Sequence, residues 1–147
     1  MSGRDRDPDG RPRNARPRDG LGRPLDHAAA GVPPVPDDLH LDGPTTLATA
    51  QELLDSGAPF QAHEVLEARW KTCPAGERSY WQGLAQAAVA LTHLRRGNTV
   101  GARRLADRAA GHLSGCQVPG GSPTTRDVLA QLAAIAAGRD DGLRVLP

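Results

Sequence analysis

The chain has 147 residues and a formal net charge of +1, with 38% hydrophobic and only 3% aromatic residues. This length suits one ordinary domain and excludes two large ones. The near-zero net charge gives no general attraction to nucleic acid or to an anionic membrane, so neither is expected as a partner. Alanine and leucine are abundant while β-branched residues are few, which favours helices over sheets.

Residues 1–44 differ from the rest of the chain because they are rich in proline, arginine and aspartate. Such a segment buries too little apolar surface to offset its chain entropy, so it is predicted to be a disordered tail. Its arginines could contact RNA or acidic surfaces, but the interleaved aspartates argue against this and favour a solvated tail. Residues 32–36 are expected to lie extended across the surface of the domain, which is predicted to occupy residues 45–147.

Two helices are predicted in the first half of that domain. Thr45 or Thr46 can cap a first helix, which Gly57 ends. Pro59 suits the first turn of a second helix that runs to about Lys71.

Three further helices are predicted after the turn that follows. The third, about residues 77–96, is apolar nearly all round, which indicates a central helix, and Gly83 allows its neighbours to approach closely. The fourth covers about residues 99–113. The fifth begins near Thr124, with Asp127 placed for a capping interaction. The sequence therefore predicts an all-α protein, a compact bundle of four to five helices.

The cysteines and the hydropathy pattern indicate the compartment. Cys73 and Cys116 form no CxxC motif, and no apolar run is long enough for a leader or a membrane span. We therefore expect a cytoplasmic protein with reduced thiols, and a Cys73–Cys116 disulfide is the less favoured alternative.

The second helix carries two titratable residues within its apolar face. On a helical wheel, His63 and Glu67 lie between Trp70 and Phe60, and they are stacked neighbours because they are four residues apart. Glu64 lies to one side of this arc, nearer solvent.

The third helix carries its own polar stripe, formed by Gln82, Gln86 and His93. Short connections make the second and third helices antiparallel neighbours, so this stripe is expected to face His63 and Glu67. Burying an unpaired polar group costs roughly a few kcal/mol, so these side chains should satisfy one another in a network completed by ordered water.

Three interpretations of this network are open. The favoured one is structural, in which the network fixes the register of a non-catalytic helical module that could form a homodimer. In the second, His63, Glu67 and His93 bind a divalent transition metal, because two imidazoles and a carboxylate are a known ligand set. In the third, the same three residues are the catalytic centre of a small hydrolase-type enzyme, with His63 and Glu67 as its acid–base pair. The candidate binding residues are Glu64, Trp70, Gln82, Gln86 and Asn98.

An anion or nucleic-acid site is a further alternative of lower weight. The segment RRGNTVGARR places Arg95, Arg96, Arg103 and Arg104 around a helix start, where exposed amides can bind a phosphate. Arg95 and Arg96 lie at the C-terminal end of the preceding helix, where the negative end of the helix dipole favours positive side chains without any bound anion.

Three sequence blocks occur in order: FQAHEVLEARW, WQGLAQAAVALTHLRRGN and GARRL. Together they resemble the bacterial and archaeal family called domain of unknown function 309, over roughly residues 45–113. The resemblance implies a small all-helical fold and no agreed activity. Ala85 and Ala87 stand where bulkier aliphatic residues would be more usual, and the N-terminal tail lies outside the resemblance. The family's recurrent polar positions correspond here to His63, Glu64, Glu67, Trp70, Gln86, His93, Gly97, Asn98 and Gly101.

Overall fold

The computed structural model describes residues 17–25, 31–119 and 125–146. It confirms the predicted all-α bundle. No helix in these ranges is both long and apolar enough to cross a bilayer. The helices are α1 (Gly43–Asp55), α2 (Pro59–Thr72), α3 (Arg78–Arg95), α4 (Thr99–Leu113) and α5 (Arg126–Ala136), with a short 3₁₀ turn at Ala75–Glu77.

α3 lies at the centre of the bundle, as predicted, and contacts α2, α4 and α5. Its apolar side chains are buried nearly all round the helix, and Trp81, Leu84 and Leu91 are each at most 1% exposed. α1 packs on α2 and α5 packs on α4, so helices that follow each other along the chain are neighbours in space.

Gly83 marks a close approach between α3 and α4. A methyl group at this position would lie 2.6 Å from Leu113 Cγ and 3.3 Å from Ala109 O. Leu113 is fully buried and has little room to move away. The predicted role of Gly83 in helix packing is therefore confirmed.

The start of α1 differs from the prediction. The N-cap is Asp42 rather than Thr45 or Thr46, and its Oδ1 accepts a hydrogen bond from Thr45 N at 2.8 Å. Hydrogen bonds from the Thr45 hydroxyl and amide lower the pKa of the Asp42 carboxyl. Thr46 lies inside the first turn of α1, where its hydroxyl donates to the carbonyl oxygen of Asp42.

The start of α5 also differs from the prediction. Its N-cap is Thr125, which makes no side-chain capping bond. Asp127 lies in the first turn of α5, where its negative charge faces the positive end of the helix dipole.

Residues 1–16 and 26–30 of the predicted tail lie outside the described residues. Residues 17–25 lie against the start of α2, where Gly20 O accepts from Phe60 N at 3.1 Å and Asp19 O accepts from Gln61 Nε2 at 2.9 Å. Residues 33–36 form one wall of a surface groove whose other wall includes Leu53 of α1. The expected course of this segment across the domain surface is thus observed.

The C-terminal segment is anchored by a buried glutamine of α1. Gln51 Oε1 accepts from Val145 N at 2.7 Å, while its Nε2 donates to Asp55 Oδ1 at 2.9 Å and to Leu143 O at 3.4 Å. The side chains of Leu143 and Val145 are consequently held in the hydrophobic core.

Candidate functional site

A cleft lies between α2 and α3 where two helical stripes face each other. Positions 63, 67 and 70 share one face of α2, and positions 82, 85, 86 and 89 share one face of α3, because each set follows a spacing of three or four residues. The facing arrangement predicted for these helices is therefore present. The cleft has a volume of about 190 Å³ and is lined by His63, Glu67, Trp70, Gln82, Ala85, Gln86 and Val89.

His63 makes its contacts within α2. Its Nε2 lies 3.0 Å from Glu67 Oε2, and its Nδ1 lies 3.2 Å from Phe60 O. Both ring nitrogens thus lie near oxygen atoms, and a neutral imidazole, which has a single N–H, donates to only one of them. The contact between Nε2 and Oε2 holds the imidazole and the Glu67 carboxylate side by side in the lining of the cleft.

Two other lining residues each bury a polar atom that has no hydrogen-bond partner. These atoms are the indole Nε1 of Trp70 and the amide Oε1 of Gln86. The first is only a donor and the second is only an acceptor. An unpaired buried group of either kind costs about 1–3 kcal/mol.

The predicted network is therefore formed only in part. His63 and Glu67 pair as expected, but Gln86 Oε1 receives no hydrogen bond from them. The reason is local, because both nitrogens of His63 are engaged by residues three and four positions away on α2 itself.

His93 does not line the cleft, although the sequence places it on the same stripe of α3 as Gln82 and Gln86. Its Nδ1 is 3.1 Å from Asn98 Nδ2, and Asn98 Oδ1 caps α4 by accepting from Gly101 N at 2.9 Å. His93 shares a face with Gln86 but lies about 10 Å further along the α3 axis. The cleft is lined by residues 82 to 89 of α3, so His93 lies about one helical turn beyond it.

The predicted metal site is consequently not assembled. Among the residues that the structure describes, which include His63, Glu67 and His93, no three His, Cys, Asp or Glu side chains are grouped to hold a metal ion. The candidate catalytic set of the same three residues is likewise divided between two places.

Glu64 lies in a separate hollow beside the cleft, which it shares with Asp37, Glu67 and Lys71. Burial raises the pKa of Glu64; the positive charges of His63 and Arg18 act against this rise. Because the pKa in the folded state exceeds the reference value of 4.5, protonated Glu64 favours folding at acidic pH. That contribution is lost as the pH rises through the folded-state pKa, so the ionised residue weakens the fold near neutrality.

Two lining residues, Ala85 and Val89, were not among the predicted site residues. The helical spacing in the sequence could have identified them, because Ala85 and Val89 lie three residues after Gln82 and Gln86 respectively, on the same face of α3. Ala85 has the smallest side chain of the residues that line the cleft. Its short side chain leaves the space that the cleft occupies.

The arginines of the alternative anion site are dispersed. Arg95 pairs with Asp140, with 2.9 Å between Nε and Oδ2, and this hydrogen bond lowers the pKa of the Asp140 carboxyl. Arg96, Arg103 and Arg104 are exposed. The start of α4 is already capped by the side chain of Asn98.

Cys73 and Cys116 are both free and half-buried, in agreement with the expectation of reduced thiols. Burial raises the pKa of each thiol, which disfavours the reactive thiolate.

Comparison with known proteins places the cleft within a recognised domain. The family model described as Domain of unknown function (DUF309) matches residues 47–105. The "Uncharacterized protein YpuF" of Bacillus subtilis (strain 168) is 55% identical over 47 residues, which are 31% of this chain and only 27% of that protein. No solved structure matches the chain. The resemblance to this domain of unknown function is therefore confirmed over residues 47–105, the stretch that contains every residue of the cleft.

Proposed function

We propose that the protein is a small-molecule binding module whose ligand occupies the cleft between α2 and α3. The observation that carries this proposal is the cleft itself, a volume of about 190 Å³ in which facing stripes of α2 and α3 bring polar and apolar side chains together. A ligand in this space would contact the partly exposed side chains of His63, Glu67 and Gln82.

The dimensions of the cleft indicate the size of the ligand. Its volume of about 190 Å³ is below the range of roughly 300–1,000 Å³ that is typical of pockets for drug-sized molecules. The ligand is therefore a compact molecule. Ala85 and Val89 supply apolar contact for its non-polar part.

Binding without catalysis is the function that the geometry supports best. His63 is paired with Glu67 on the same helix, and His93 lies about one turn of α3 beyond the lining of the cleft. We place the protein in the cytoplasm, because that compartment maintains free thiols such as Cys73 and Cys116.

Filling the cleft should abolish binding. In Ala85→Leu the longer side chain enters the space between the two stripes, and it adds apolar contacts instead of opening a cavity. We expect at least one compound from a set of small neutral, cationic and anionic fragments to shift the indole N–H signal of Trp70 in a proton–nitrogen NMR spectrum of the wild-type protein. The same compound should have no effect on Ala85→Leu.

Two controls accompany this experiment. The Trp81 indole already donates to Glu77 Oε1 at 3.0 Å, so its signal should stay in place. Ala130→Leu adds the same side chain at an exposed position of α5 and should bind like the wild type. The proposal is wrong if no fragment moves the Trp70 signal, or if Ala85→Leu responds as the wild type does.

A further inference from the structure

We infer that copies of this chain associate head to tail, with the exposed face of α4 on one copy seated in the surface groove beside α1 on the next. This contact is separate from the proposed ligand site, because the groove and the cleft share no lining residue. The inference follows from the charge and the shape of two surfaces, which lie on helices that pack on different neighbours.

The exposed face of α4 is basic around one apolar side chain. A spacing of three or four residues places five residues on this face: Val100, Arg103, Arg104, Asp107 and Arg108. Its three arginines form no ion pair with any residue that the structure describes. Val100 is 69% exposed. Arginine beside apolar side chains is typical of surfaces that bind another protein.

The surface groove beside α1 has an apolar interior. Its volume is about 460 Å³, and its lining includes Leu39, Leu53 and Val65. Along α1 the lining extends from Thr49 to Ser56, which is a rise of about 10 Å. The groove is therefore long enough to receive about two turns of a second helix.

The rim of this groove is acidic. Glu52 lines the groove, and three exposed aspartates lie next to lining residues along the chain: Asp37, Asp38 and Asp55. None of these four carboxylates forms an ion pair with a described residue. Residues 31–60 contain no arginine or lysine, so no cation of this segment balances its negative charge.

A second copy complements both surfaces at once. The arginines of α4 meet the carboxylates of the rim, while Val100 enters the apolar interior of the groove. A nucleic-acid backbone fits the α4 face less well, because Asp107 lies among the arginines and would face the phosphates. The near-zero net charge of the chain thus conceals two surfaces of opposite sign.

The contact joins unlike surfaces, so it is heterologous. In a pair of copies one groove and one α4 face remain unoccupied, and each of them can receive a further copy. Association therefore continues beyond two copies as the protein concentration rises.

Sedimentation velocity of the full-length protein tests this association. We expect the mean sedimentation coefficient to rise over about a hundredfold increase in protein concentration. The rise should be smaller in about 1 M NaCl than in about 0.1 M NaCl, because the screening length falls from about 10 Å to about 3 Å. A single monomeric species over the whole range at the lower salt concentration would overturn the inference.

Charge reversal tests whether these two surfaces form the contact. Arg104→Glu and Glu52→Arg each bring like charges together, so each should weaken association by about tenfold or more. Both side chains are exposed, so neither change disturbs the core. Arg126→Glu makes the same change of charge as Arg104→Glu at an exposed position of α5, outside both surfaces, and should associate like the wild type.

A mixture of the two reversed variants tests their complementarity. The Glu52→Arg variant keeps an intact α4 face and the Arg104→Glu variant keeps an intact groove, so the mixture should associate more strongly than either variant alone. Association of wild-type strength in both variants, or a mixture no stronger than its components, would overturn the inference. So would a monomeric protein whose α4 arginines instead bind a labelled RNA oligonucleotide.

Discussion

Gly83→Ala should lower the free energy of unfolding by about 1–2 kcal/mol. The added methyl group would lie 2.6 Å from Leu113 Cγ and 2.7 Å from Leu113 Cδ2, and the fully buried leucine cannot move away without disturbing α4. Overpacking of this kind costs about 1–3 kcal/mol, and the better helix propensity of alanine returns up to about 1 kcal/mol. Chemical denaturation followed by circular dichroism measures the net effect.

Gly111 provides the matched control for this substitution. It lies in α4 at an exposed position, and a methyl group there would meet nothing within 4 Å. Gly111→Ala should therefore stabilise the protein by about 0.5–1 kcal/mol through helix propensity alone. In a Leu113→Ala background, the cost of Gly83→Ala should fall sharply because the two closest atoms are gone and only the 3.3 Å contact with Ala109 O remains. Equal free energies of unfolding for Gly83→Ala and Gly111→Ala would show that α3 and α4 are not in tight contact at Gly83.

Gln51→Leu should destabilise the protein by about 2–3 kcal/mol. The amide of Val145 would lose the Gln51 Oε1 acceptor at 2.7 Å in a buried place, and an unpaired buried group costs about 1–3 kcal/mol. Leu143 O would lose its contact with Gln51 Nε2 as well. We also expect faster hydrogen exchange at residues 143–146, since this segment would no longer be held against α1.

Gln131 offers a control at the surface. Its Oε1 accepts from Arg144 N at 2.8 Å, but this bond is exposed and water can replace it. Gln131→Leu should therefore cost less than about 1 kcal/mol. If Gln51→Leu were no more destabilising than Gln131→Leu, the burial of the Gln51 contacts would contribute nothing to their strength.

Much of the fold followed from the sequence because its signals are local. Pro59 at the start of α2, the apolar surface of α3 and the small residue at Gly83 each reflect a property of one helix or one contact. The cap of α1 was misplaced by a few residues because Asp42, Thr45 and Thr46 all have suitable side chains for capping.

The candidate site was predicted less completely because it depends on distances that a helical wheel does not contain. The wheel placed His63, Glu67 and Gln86 on facing surfaces, and these residues do line one cleft. It also placed His93 on the same stripe, although His93 lies about 10 Å from Gln86 along the helix axis and does not line the cleft. Nor could the wheel show that His63 would bond within its own helix and leave Gln86 Oε1 unpaired.

The unpaired atoms also distinguish a ligand site from a purely structural network. In a structural network each polar group stabilises the fold through its partner, so removing one group destabilises the protein. A group that is retained for a ligand lowers the stability of the free protein, so its removal is neutral or stabilising. Gln86 is the residue at which these two expectations differ most.

The most direct measurement is therefore the free energy of unfolding of Gln86→Met in the absence of any ligand. Methionine has a similar length and no polar group to satisfy, so we expect stability that is unchanged or raised by up to about 1–2 kcal/mol. Gln82→Met, in the same cleft, serves as the control and should change little, because Gln82 has no orphaned buried atom. A loss of more than about 1 kcal/mol in Gln86→Met alone would mean that Gln86 holds the bundle together, and the cleft would then be a structural feature and not a binding site.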